Sequence, residues 1–166
     1  MQVCSHPEVV SALAVAMQAR DIAAVREAFA PDAIFHSPLT EALVFRGREQ
    51  IGLLTSVLLE VFEEFRYTGE VLSGDVGFLT ARARIGGAEI EIIDHFRLGP
   101  DHRIVEITIF FRPLPAAAAA LRAIGAGLGR RKSRARGAAI SGLTFPLAMM
   151  TRISDKVGAG LIRASL

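Results

Sequence analysis

The stretch EIEIIDHFRL, residues 89–98, decides the fold. A half-buried β-strand alternates its side chains between two faces with a period of two. One set is Ile90, Ile92, Asp94, Phe96 and Leu98; the other is Glu89, Glu91, Ile93, His95 and Arg97. Water accepts the second set. The first is apolar except for one carboxylate in its middle, Asp94. An unpaired buried carboxylate is unfavourable, so such a group is paired, hydrogen-bonded or held protonated. Two readings follow: an Asp satisfied by nearby backbone N–H groups, or a ligand-facing carboxyl in an apolar pocket.

The same period extends to both sides. It predicts strands over 65–72, 77–85, 88–98 and 103–112, joined at Ser73-Gly74-Asp75, Gly86-Gly87 and Gly99-Pro100-Asp101. Gly86-Gly87 is a two-residue hairpin signal. Arg82 and Arg84 alternate with Ala81, Ala83 and Ile85, so that strand has a wet face, and the last strand puts Val105, Ile107, Ile109 and Phe111 on one side.

Upstream the period is helical. Ser5-His6-Pro7-Glu8 reads as a helix start, followed by the stripe Val9, Val10, Leu13 and Met17. Asp21 caps a short helix carrying Ile22, Val25, Ala28 and Phe29, which stops before Pro31. A strand over 33–37 ends at Pro38, and a loop through Phe45-Arg46-Gly47 leads to a helix from 48 to about 64, with Ile51, Leu54, Leu58, Val61 and Phe62 inward. Three helices followed by an antiparallel meander predict an α+β domain, its helices covering one face of a curved sheet.

At 166 residues the chain suits one domain with a sizeable core, and a 51% apolar composition with ten Phe excludes a disordered class. The single Cys4 forms no internal disulfide and fits a reducing compartment. MQVCSHPEVV lacks a signal-peptide pattern, and nowhere do eighteen apolar residues run uninterrupted, so a cytoplasmic protein is expected.

The net charge of +2 hides a division. Residues 1–115 carry 10 Lys+Arg against 16 Asp+Glu, a balance of −6; residues 116–166 carry 9 against 1, a balance of +8. This divides the chain into a domain over 1–115, ended by Pro113 and Pro115, and a basic extension over 116–166. Within the extension, 116–128 reads as a helix and 129–137 (GRRKSRARG) as a basic linker. Residues 138–162 read as a helix with the stripe Ile140, Leu143, Leu147, Met150, Val157 and Leu161, kinked or restarted at Pro146. The domain is expected to fold alone with the extension packed loosely, as a pocket lid, a dimer element or an anchor to anionic membrane. The linker has no interleaved aromatics, so nucleic acid is not an expected partner.

MQARDIAAVREAFAPDAIFHSP (17–38), FRGREQI (45–51) and IIDHFRLGPDHRIVEITIFF (92–111), in that order and spacing, resemble the NTF2-like superfamily, and within it the SnoaL-like and ketosteroid-isomerase-like proteins. The resemblance covers roughly residues 7–113. It implies a curved sheet wrapped by helices into a cone, a mainly apolar pocket for a small apolar molecule, and a homodimer through the sheet.

Laid on ketosteroid isomerase, Asp94 matches the protonated Asp that donates to the developing oxyanion. The general-base Asp position holds Ser37, and the oxyanion-hole Tyr of the first helix falls on Leu13. A serine shuttles no proton at neutral pH without a base beside it. The resemblance therefore implies fold and pocket without steroid isomerisation by that route. The expected site is Asp94 with Ser37, walled by Leu13, Met17, Phe35, Ile92, Phe96, Ile107, Ile109 and Phe111. Its chemistry is that of an isomerase, cyclase or hydrolase, or of a non-catalytic binding or adaptor module. His36 is expected opposite Ser37, His95 on the outer face or a dimer interface, and His102 in a turn. No metal-ligand spacing or phosphate loop is present, so neither metal nor cofactor is expected.

Overall fold

The alternation around Asp94 sets the centre of a six-stranded sheet. The computed structural model describes residues 7–38, 40–41 and 43–164, with side chains at 12–146 (39 and 42 apart), 148–151 and 153–154. Ser5 and Cys4 thus lie outside the described residues, as do the side chains of Val9 and Val10. The elements run α1 (Pro7–Gln18), α2 (Ile22–Ala28), β1 (Phe29–His36), β2 (Val44–Arg46), α3 (Arg48–Val61), β3 (Glu63–Ser73), β4 (Val76–Ile85), β5 (Ala88–Leu98), β6 (Ile104–Arg112), α4 (Leu114–Lys132) and α5 (Arg134–Ala164). The sheet order is β2-β1-β6-β5-β4-β3.

The hairpins follow from turn chemistry. Gly86 and Gly87 both take positive φ, 54° and 80°, and Ile85 pairs with Ala88, as a two-residue turn matched to strand twist requires. Asp21 caps α2 through Oδ1, which accepts from the Ala24 N–H at 3.0 Å. Two features escaped the alternation. The expected loop at Phe45-Arg46 is a short strand, β2, paired with β1, and β1 itself runs parallel to β6, Phe35 opposite Ile107. A period of two shows which face a residue takes, not which strand lies beside it.

The inner face of β4, β5 and β6 packs against Ile51, Leu54 and Val57 of α3, Val25 of α2 and Leu13 of α1. The expected stripe on α3 holds: Ile51 and Leu54 are buried, and the chain turns extended at Phe62, itself buried.

The extension differs from its reading. The alanine run Ala116–Ala120 of α4 is buried, Ala116, Ala119 and Ala120 in the same hydrophobic core, so α4 is not loosely attached. The basic segment 129–137 is no linker. Arg, Lys and Ala favour helix, and basic side chains near a helix C-terminus complement its dipole. Only Ser133 breaks the chain, extended at φ −166° and ψ 154°, and its Oγ accepts from the Arg136 N–H at 3.2 Å to start α5. Nor does α5 restart at Pro146, which lies inside it.

α4 and α5 meet through glycines. A Cβ on Gly129 would lie 3.0 Å from the backbone of Gly137, and one on Gly125 would lie 2.9 Å from Ile140. Of the expected α5 stripe, Ile140 is half-buried here, whereas Leu143 and Met150 face outward; Leu147, Val157 and Leu161 lie outside the described side chains. Gly129→Val should therefore force the helices apart and destabilise the fold by about 1–3 kcal/mol. Gly142 has open space around its would-be Cβ, so Gly142→Ala should be neutral or stabilising by up to ~1 kcal/mol. Urea unfolding of the two variants checks both, and equal effects would contradict the close approach.

Candidate functional site

Asp94 sits mid-strand on the inner face, between Leu79 of β4 and Ile109 of β6, with 5% of its surface exposed. Its Oδ2 accepts from the Tyr67 hydroxyl at 3.5 Å, a long and weak bond. Its Oδ1 is buried without a hydrogen-bond partner. Tyr67 reaches it from β3 diagonally across β4: Tyr67 pairs with Ala81, Ala81 with Ile92, and the alanine leaves the ring its path.

Asp94 lies on the wall of a cavity of about 90 Å³. β3, β5 and β6 contribute Phe65, Ile92, Ile109 and Phe111; β1, the loop after it and β2 contribute Phe35, Ser37, Pro38, Leu43 and Phe45. Met17 comes from α1, Leu54, Leu58 and Phe62 from α3 and its end, and Leu121, Ile124, Gly125 and Leu128 from α4. Apart from Ser37 and Asp94, every lining side chain is apolar. Aromatic edges hold the wall: Phe35 meets Phe45 and Phe62 meets Phe111 edge-on, with centroids 5.7 Å and 6.0 Å apart.

This surrounding sets the electrostatics. Burial pushes the Asp94 carboxyl up from 3.8 to about 7, and the Tyr67 hydroxyl, which favours the charged form, draws it partly back. Tyr67 is pushed well above its ordinary 10.0, first by burial, then by the Asp94 charge and their hydrogen bond. A carboxyl poised near neutrality can donate a hydrogen bond or exchange a proton there.

Of the expected site residues, Asp94, Ser37, Met17, Phe35, Ile92, Ile109 and Phe111 are brought together around the cavity. Leu13, Phe96 and Ile107 are not: they are buried in the packed core away from it. Phe96 and Ile107 pair across β5 and β6, and the Phe96 ring fills the space over Gly77. The inner face is longer than the cavity, and that end is solid.

Sequence reading missed Tyr67, although it is the only tyrosine and shares the strand face of Phe65. Nor does the sequence reveal the α4 wall, because the charge division and the two prolines set the extension apart from the domain. The three described histidines lie elsewhere. His36 bonds Glu106 at 3.0 Å, which Arg97 also pairs; His95 stacks on Phe78 with centroids 4.7 Å apart; His102 occupies a turn at φ 60°. Arg82 pairs with Glu91 on the outer face, as its alternation implied. Among the described residues no group of three or more His, Cys, Asp or Glu could hold a metal ion.

The SnoaL-like domain family matches residues 10–107, more than half of the chain, and the protein belongs to that family. Solved structures share the fold. A steroid delta-isomerase from Pseudomonas aeruginosa is 28% identical, with TM-score 0.65, over 80% of this chain and 96% of that one. A bacterial protein with a cystatin-like fold from Silicibacter pomeroyi is 22% identical, with TM-score 0.69, over 75% and 86%. A putative polyketide cyclase from Sinorhizobium meliloti is 22% identical, with TM-score 0.53, over 66% and 99%. No match is found among curated proteins. The cone of helices on a curved sheet is thus the NTF2-like one that the sequence implied.

The raised carboxyl has a measurable consequence. An unfolded chain releases the Asp94 proton near 3.8, whereas the folded one keeps it to about 7. Between these values the native state binds more protons, so this group makes stability fall as pH rises from about 4 to about 7, by at most ~4 kcal/mol, and stay level beyond. Asp94→Asn removes that slope. Urea unfolding should find the variant within about 1 kcal/mol of wild type at pH 4 and more stable than wild type at pH 8. Parallel stability curves for the two proteins would show that folding leaves the Asp94 carboxyl at its ordinary value.

Proposed function

We propose that this protein binds a small, mainly apolar molecule bearing one hydrogen-bond-accepting oxygen, with the neutral Asp94 carboxyl as donor. The observation that carries the reading is Asp94 itself: buried, with Oδ1 unpartnered, on the wall of a cavity otherwise apolar but for Ser37. A ligand oxygen beside that carboxyl satisfies a polar group whose isolation is unfavourable. The apolar walls bury the rest of the molecule and disfavour an anion.

Family membership and the likeness to a steroid delta-isomerase support an isomerase- or cyclase-type reaction. Donation to an oxygen that gains negative charge stabilises such a transition state. The cavity lining holds no second carboxylate among the described residues, and Ser37 stands where a general base would be, so a two-carboxylate route has no base. Asp94 would act alone, as hydrogen-bond donor or as acid–base group. That missing base also supports a second reading, a non-catalytic binding module with the same pocket and the same ligand chemistry.

A thermal-shift screen of neutral apolar ketones and alcohols tests the site, because binding to the native state raises its stability. A ligand found this way should lose about tenfold or more in affinity for Asp94→Leu, and should bind more weakly as pH rises through 7. Equal affinity for the leucine variant at every pH would remove Asp94 from the site.

The outer sheet face supports a homodimer. Phe78, Ile93 and Phe110 are exposed side by side, Ile93 opposite Phe110 in register, with the Arg82–Glu91–Arg112 and Arg97–Glu106–His36 clusters flanking them. Such a patch on a sheet fits a second copy laid face to face. Phe110→Asp should convert the dimer to monomer in analytical ultracentrifugation with an unchanged far-UV spectrum; a variant that stays dimeric would place the interface elsewhere.

A further inference from the structure

We propose that α5 docks on a membrane surface bearing anionic phospholipid, its outward apolar face entering the boundary between headgroups and acyl chains. Leu143 is 82% exposed and Met150 66%, and Phe145, Met149 and Ile153 are each more than half exposed. At 3.6 residues per turn, positions 143, 146, 150 and 153 follow one line along the helix, with 145 and 149 beside it. The opposite side carries Ile140, Thr144, Ala148 and Thr151, half-buried or buried against the protein. An isolated exposed Leu is ordinary, but Leu143, Met149, Met150 and Ile153 on one helix face form a docking surface, with Phe145 at its edge beside the Arg122 guanidinium of α4.

Charge selects what docks there. Residues 116–166 hold 9 Lys+Arg and 1 Asp+Glu, a balance of +8. Arg130, Lys132, Arg134 and Arg136 are exposed where α4 turns into α5, and Arg131 beside them pairs with Glu60 of α3. The sequence beyond the apolar segment adds Arg152, Lys156 and Arg163. Long basic side chains at the edges of an apolar face reach headgroup phosphates while their stems stay in apolar surroundings. Packing α5 on the α5 of a second copy would set +8 against +8. Among the described residues no helix is long and apolar enough to cross a membrane, so α5 lies on the surface.

The full chain is tested by co-sedimentation with vesicles of phosphatidylcholine containing phosphatidylglycerol, against vesicles of phosphatidylcholine alone. Expected are binding at least tenfold stronger to the anionic vesicles, and weakening by salt. The pair Leu143→Asp and Met150→Asp changes exposed positions; with an unchanged thermal melt it should lower binding tenfold or more. Arg134→Gln with Arg136→Gln should lower it about fivefold per charge removed. No binding to anionic vesicles, equal binding to both kinds, or binding indifferent to both variant pairs would overturn the proposal. So would a wild-type oligomer that ignores vesicles and dissociates on the Leu143→Asp and Met150→Asp changes, since α5 would then be a contact between copies.

Discussion

One carboxyl placed where solvation is withheld organises this protein. Asp94 stands in a strand face that must be apolar for the sheet to pack, and its neighbours leave Oδ1 without a partner. A carboxylate there would lose several kcal/mol of hydration, so the proton is retained to about 7. The Tyr67 hydroxyl, at the long limit of hydrogen bonding, moderates this without reversing it. A tighter bond from Tyr67 would favour the ionised form and leave less donor capacity toward the cavity.

The cavity around Asp94 is finished by residues outside the family's match. Residues 10–107 supply most of the sheet, α3 and the Phe35–Phe45 edge, whereas Ile109 and Phe111 at the end of β6 and Leu121, Ile124, Gly125 and Leu128 of α4 complete the wall. α4 is narrow enough to serve three neighbours at once. Ala116, Ala119 and Ala120 lie in the core with the sheet, Gly127 lies against Val57 of α3, and Gly125 and Gly129 receive α5. Small side chains let three layers approach where bulky ones would hold them apart. The same packing turns the larger side chains of α5 outward.

Two apolar surfaces therefore remain on opposite kinds of element, and their surroundings differ. The patch at Phe78, Ile93 and Phe110 is bordered by ion pairs of both signs, which suits a self-complementary contact. The α5 face lies in a segment of nearly pure positive charge, which suits an anionic surface. Apolar area alone does not distinguish the two occupants; the neighbouring charges do.

By itself the sequence determined the α+β class, the strand spans around Asp94, the Gly86-Gly87 hairpin and the isolation of one carboxylate on an apolar face. These are local properties: backbone preference and a period of two or 3.6 are written into neighbouring residues. Tertiary structure decided the rest. The β1–β6 parallel pairing and the contact between Tyr67 and Asp94, 27 residues apart, depend on which strands meet. Which inward residues line the cavity and which, like Phe96 and Ile107, fill solid core depends on where helices cover the sheet. The extension shows the same limit most plainly. A basic, glycine-bearing run reads as a linker and its alanine-rich neighbour as detachable, because helix propensity alone does not include the core that receives them.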